Sequence, residues 1–340
     1  MKRFPIAAFL MFFLLTACGG TSPVSVTPSS LPAEERTPLP AATATANPAA
    51  LETATPTPAV PTLLLVAPTG CATPYETFCQ GLEARAVAQN WQVSQVDALP
   101  AFLPSQTQAV VLLPGLQDLS QVMSQVGDVP VLAVGYTDAP AMPNLSVLDP
   151  QGATLEKRAF LAGYIAALAT EDWRTGIVVP AASGEGTALQ NAFLQGTTYF
   201  CGLCRPAYPP FHTYPVVAVH TEGNATQTLQ TLADQAVATA YLPASLSEDT
   251  ALLEAIAQAS LQWIVEGQTP ATLQDMLVAR IFPSPASALD ALWPALTGGD
   301  AVHLPMPIGV DAPGLSPGRL RLAQDVATDL MEGRISVQQP

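Results

Sequence analysis

Leu63-Leu64-Leu65-Val66-Ala67 is an unbroken apolar run halted by Pro68-Thr69-Gly70, the pattern of a strand buried on both faces. Residues 75–89 follow with Phe78, Leu82, Arg85 and Ala86 at helical spacing. The same alternation then recurs. Ala109-Val110-Val111-Leu112-Leu113 is a second apolar strand, followed by a helix over 116–126 and strands over 129–134 and 145–148. A second block opens on Gly176-Ile177-Val178-Val179. It continues as helix 187–200, strand 216–219, helix 225–238, strand 239–242, helix 249–258 and strand Trp263-Ile264-Val265. Apolar strands alternating with helical stretches mean βαβ units and parallel sheets. The expected fold is therefore α/β with two lobes, each a parallel sheet flanked by helices. Residues 276–282 and a helix ending near 296 read as a return to the first lobe. That sets lobe 1 at 63–173 plus 277–300, and lobe 2 at 174–276 plus 301–340.

The residues before the first strand have a different grammar. Met1-Lys2-Arg3 is a short positive start, and 6–15 is an apolar run of about ten residues, half of what a bilayer-spanning helix needs. A secretory signal over 1–17 is expected. It ends in Leu15-Thr16-Ala17-Cys18-Gly19, which resembles the bacterial lipobox. That resemblance implies cleavage before Cys18 and lipid on its sulfur, and two or three acyl chains anchor stably where one does not. Between Gly19 and Thr62 there is no aromatic residue, and Pro, Thr and Ala supply nine residues each. Such a segment cannot bury enough apolar surface to offset its ordering entropy. Residues 18–62 thus read as the lipidated cysteine and a disordered tether, with a reach of about 35–40 Å.

Charge and composition exclude whole classes of partner. Lys plus Arg is 12 against 27 Asp plus Glu, a net charge of −15. Nucleic-acid polymers are gripped by Lys and Arg at their phosphates, so none is expected here. Lys2 and Lys157 are the sole lysines, which leaves no polybasic membrane patch. Contact with the membrane is expected through the lipid anchor alone. His212, His220 and His303 lack metal-ligand spacing, and no Gly-x-Ser-x-Gly elbow is present. The expectation is therefore no enzyme, no metal and no cofactor.

Four cysteines remain once Cys18 is lipidated: Cys71, Cys79, Cys201 and Cys204. An even number in an extracytoplasmic chain points to disulfides, with three possible connectivities. Local pairing, Cys71 with Cys79 and Cys201 with Cys204, is the expectation. Cys201-Gly202-Leu203-Cys204 also has the redox C-x-x-C form. A redox cysteine wants a helix N-terminus to lower its pKa, whereas this pair follows a helix.

Glu156-Lys157-Arg158-Ala159-Phe160-Leu161-Ala162-Gly163-Tyr164-Ile165-Ala166-Ala167-Leu168 resembles the helix signature of the basic membrane lipoprotein family. Thr175-Gly176-Ile177-Val178 resembles that family's next strand, and Ala192-Phe193-Leu194-Gln195-Gly196 its Phe-x-x-Gly helix. Read from the residues alone, Leu161, Tyr164, Ile165 and Leu168 form an apolar stripe, and Gly163 permits close packing on a sheet. The resemblance implies a type 1 periplasmic-binding-protein fold and a substrate-binding lipoprotein of an ABC importer, many of which carry nucleosides. It also implies a monomer outside the cytoplasm, lipid-anchored to a bacterial membrane, handing a small solute to a permease.

Parallel sheets bind ligands at the carboxyl ends of their strands, which marks loops 68–74, 135–140, 180–186, 243–248 and 266–269 as cleft walls. None has a phosphate-cradling glycine pattern. The resemblance places the family's aromatic ligand element at Tyr75, Glu76, Thr77, Phe78 and Cys79, so Tyr75 and Phe78 are candidate ring-stacking residues. Phe78 equally fits the inward face of the first helix. Asp138 and Glu266 fall near family acidic positions and Arg280 near a family lysine. A carboxylate accepts from vicinal hydroxyls and Arg binds anions, although each also reads as a solvated loop charge. Two functions remain open: a solute receptor for import, or a tethered sensor of the same fold with a degenerate cleft.

Overall fold

A computed structural model describes residues 60–115, 118–170, 172–181 and 184–337. The leader, Cys18 and the tether up to residue 59 lie outside the described residues. The first sheet begins with five parallel strands: β1 (Thr62–Val66), β2 (Gln92–Val96), β3 (Thr107–Leu112), β4 (Val131–Val134) and β5 (Leu145–Asp149). The second has β6 (Thr175–Pro180), β7 (Val216–His220), β8 (Thr239–Leu242), β9 (Gln262–Glu266) and β10 (Leu277–Pro283), also parallel. Two late strands complete them. β11 (His303–Pro305) pairs parallel to β5, and β12 (Ile308–Asp311) pairs antiparallel to β10. The orders are β11-β5-β4-β3-β1-β2 and β12-β10-β9-β8-β6-β7.

The apolar run of β1 is buried on both faces because successive side chains point to opposite sides of a sheet. Leu63 and Leu65 join Phe78 and Leu82 of α1 (Glu76–Ala88), while Leu64 and Val66 join Val122 and Met123 of α2 (Leu119–Val126). Asp118 starts α2 by accepting from the backbone N–H of Ser120 at 2.9 Å and Gln121 at 3.2 Å. This satisfies donors that a helix start leaves orphaned. In the second lobe, α3 (Leu155–Ala169) is buried along residues 159–168 between the sheet, α4 (Gly184–Cys201) and α8 (Pro317–Met331). The other face is covered by α5 (Ala225–Asp234) and α6 (Thr250–Ala257), and α7 (Leu289–Leu296) lies against β4 and β5.

Three expected lobe boundaries are corrected. Strand 277–283 belongs to the second sheet, where Arg280 and Ile281 stand opposite Val265 and Glu266 of β9. Helix α3 packs on the second lobe, and β11 returns to the first. The chain therefore crosses after β5, after β10 and between β11 and β12. The crossovers bond to one another: Met306 N donates to Asp149 O and Ser284 N to Pro307 O, each at 2.7 Å.

Candidate functional site

The strand ends of the two sheets meet at a cleft. Its first-lobe wall is the loop after β1, which the Cys71–Cys79 disulfide ties to α1 with Cα atoms 6.2 Å apart. The second-lobe wall comprises the loops after β8 and β9. Ala72 and Thr73 face Ser247, Glu248, Gln268, Thr269 and Pro270 around a cavity of about 430 Å³, within the usual range for small-molecule sites. Gln268 Nε2 donates to Thr73 Oγ1 and so bridges the lobes. Thr269 Oγ1 is buried without a partner. A second groove of about 410 Å³ between α5 and α6 has no titratable group on its walls. It includes Val237 and Leu261, at the amino ends of β8 and β9, away from the cleft.

Ser247 and Glu248 are positioned from behind. Asp249, next in the chain, caps α6 through Leu252 N at 2.9 Å and contacts His220 Nε2 at 2.8 Å. His220 is buried at the end of β7, with Nδ1 3.2 Å from Thr228 Oγ1. The Leu252 N–H, and after it the bond to His220, holds the Asp249 carboxyl below the usual carboxylate range.

The structure does not gather the five expected ligand residues. Glu266 closes β9 at the cleft but is 2% exposed and already engaged. Its Oε1 accepts from Arg158 Nε at 2.5 Å and its Oε2 from Tyr241 Oη at 2.5 Å. Arg158 Nη1 also donates to Ala153 O. Burial, reinforced by the neighbouring Glu266 charge, drives the Tyr241 phenol well above its ordinary pKa. Phe78 is fully buried in the core beside Leu82, so it is corrected from cleft wall to packing residue. Its spacing with Leu82 is that of the inward face of a helix. Tyr75 stands half-buried before α1, its hydroxyl 3.3 Å from where a Cβ on Gly135 would lie, and burial raises its phenol. It borders the first lobe's strand ends without lining the cavity.

Asp138 is exposed on the loop after β4, with φ +55°, apart from Glu266. Arg280 is corrected as well. It contacts Asp311 at 3.5 Å and lies over Phe282, 4.7 Å from the ring centre. Its neighbour Ile281 is the residue in register with Glu266, so the alternation of a strand turns Arg280 to the other face. The second disulfide, Cys201–Cys204, starts at the last residue of α4, with Cα atoms 5.1 Å apart. Among the described residues no group of three or more His, Cys, Asp or Glu is placed to hold a metal, and no helix is long and apolar enough to cross a membrane.

Thr73, Glu248, Gln268 and Thr269 lie on loops whose position the strand pattern marks. Nothing in their residue types singles them out. Arg158 stands in the helix signature, but its pairing with Glu266 spans 108 positions and leaves no local trace.

No protein-family model matches the chain, and no curated protein matches it either. The likeness to basic membrane lipoproteins therefore rests on the quoted motifs. Solved structures are similar across the body. An ABC transporter solute-binding protein from Conexibacter woesei aligns with a TM-score of 0.55 at 14% identity, covering 82% of this chain and 99% of that one. A second, from Aeropyrum pernix K1, has a TM-score of 0.50 at 14% identity, covering 83% and 94%. A transcriptional activator of the comK gene from Bacillus halodurans gives 0.50 at 12% identity, covering 82% and 99%. At these identities the likeness speaks to fold, and one fold hosts many functions. With two parallel-dominated sheets flanked by helices and joined by three crossovers, the chain has the type 1 periplasmic-binding-protein-like fold.

Proposed function

We propose that this protein is an extracytoplasmic receptor that closes its two lobes on a small polar solute and delivers it to an ABC permease. The observation that carries the reading is the cleft itself. A cavity of about 430 Å³ lies at the carboxyl ends of the strands, walled by both lobes and bridged by Gln268 and Thr73. This is where an open parallel sheet binds ligands. Lipid on Cys18 would hold the body at a bacterial membrane through the 18–62 tether. With Phe78 in the core and Tyr75 off the cavity wall, a nucleoside base lacks both expected stacking partners there, and the polar walls favour a solute recognised through hydrogen bonds.

A second reading, a tethered sensor without a transport role, draws support from the internal capture of Glu266 by Arg158 and Tyr241. A thermal-unfolding screen of the full-length protein against solutes tests the receptor reading. A solute at 100 times its Kd should stabilise the fold by about 2.7 kcal/mol. That stabilisation must shrink on Gln268→Ala; a solute that binds equally well without Gln268 would place the site elsewhere.

A further inference from the structure

We propose that the cleft selects an ammonium-bearing solute and excludes phosphates and carboxylates. This assignment of ligand class rests on the receptor reading above.

Charge is segregated along the strands. From β1 to β10, no loop leaving the carboxyl end of a parallel strand contains Lys or Arg. Those loops do carry Asp118 and Asp138 on the first lobe, and Glu248 and Asp249 on the second. Two basic residues stand at the opposite ends. Arg85 lies in the last turn of α1, and Arg174 immediately precedes β6. Two cations at the start of α3 have partners within the protein. Arg158 is held by Glu266 and Ala153 O, and Lys157 Nζ donates to Gln151 O at 3.0 Å.

Among the described residues, Glu248, exposed, is the one charged side chain on the wall of the cavity. Around it, Thr73, Ser247, Gln268 and Thr269 offer hydroxyl and amide groups. The Thr269 hydroxyl, buried and unpartnered, lies in the same wall.

The physics follows from the cleft shape. Low-dielectric walls focus the field of like charges lining a cleft, raising the local concentration of the opposite ion. Closing the lobes brings the acidic loops of each toward the other, which a bound cation offsets and a bound anion aggravates. A charge-assisted bond donated by the ammonium to Glu248 then supplies orientation.

Two measurements on the full-length protein in nanodiscs test this. The first titrates putrescine, ethanolamine, D-ribose and ribose 5-phosphate calorimetrically, with Glu248→Gln beside the native protein. An ammonium probe should bind, weaken as salt rises, and lose roughly ten-fold in affinity in the variant. Binding of ribose 5-phosphate in the cleft, or an ammonium affinity indifferent to Glu248→Gln, overturns the proposal. If D-ribose binds in the cleft and neither ammonium probe does, the receptor reading stands and the charge assignment fails. If an ammonium probe binds but Gln268→Ala leaves it unaffected, the receptor reading itself fails.

The second measurement needs no ligand. Tryptophan placed by Ala72→Trp should be quenched more by caesium than by iodide, relative to neutral acrylamide, and Glu248→Gln should narrow that difference. Stronger quenching by iodide would overturn the proposal.

Discussion

Glu266 and Arg158 form a pair whose side chains are 3% and 16% exposed. Removing one partner from a buried pair leaves an uncompensated charge and costs about 3–5 kcal/mol, whereas replacing both by well-packed apolar groups can be nearly neutral. Arg158→Met should therefore lower stability to urea by that order. Arg158→Met with Glu266→Leu should recover most of the loss, although Tyr241 then gives up its acceptor. A double variant as unstable as the sum of the singles would show that the two residues do not act as a pair. At this scale the sequence is legible only in part. Glu266 stands at a strand end, the position expected of a ligand carboxylate, and what occupies it is the guanidinium of Arg158 on α3. Phe78 was open between cleft and core, and its fully buried ring joins Leu82 in the core.

The two helical motifs that resemble a known family meet each other. A Cβ on Gly163 of α3 would collide with the Phe193 carbonyl of α4, and a Cβ on Gly196 of α4 with the Phe160 carbonyl of α3. The glycines are reciprocal, each admitting the other helix's backbone. Gly163 thus serves a helix–helix contact, where the sequence suggested packing on a sheet. Gly163→Ala should cost about 1–3 kcal/mol or more, because a backbone carbonyl cannot step aside as a flexible side chain can. Gly318→Ala, on α8 with nothing within 4 Å, should be neutral or stabilising by up to about 1 kcal/mol. Thermal melts of the two variants check both, and equal melting temperatures would refute the close-approach argument.

Strands buried on both faces, such as β1 and β3, were legible as apolar runs. β2, with the sequence Gln92-Val93-Ser94-Gln95-Val96, was not. It is an edge strand, partly exposed along its length, so no apolar run marks it. The short β11 and β12 are silent for a similar reason. The lobe to which 277–283 belongs could not be read from its own residues, since sheet membership is fixed by a neighbour distant in sequence.

For the whole molecule, the lobes share three crossovers whose backbones bond at Met306–Asp149 and Ser284–Pro307, while the cleft is bridged by the Gln268–Thr73 hydrogen bond. A small set of crossover residues and a weakly bridged mouth suit hinge closure. A ligand can drive closure only through its differential affinity for the closed form. The strand-end loops that build this mouth were marked by the βαβ pattern, but which side chains face one another across it depends on how the lobes meet.

The measurement that tests the account most directly is the distance between spin labels on Gln121 of α2 and Gln227 of α5, both exposed, by pulsed electron resonance. With a solute found by thermal screening, the distance distribution should narrow and shorten, and Gln268→Ala should shift it back toward the unliganded form. An unchanged distribution at saturating solute would contradict closure of the lobes on a ligand.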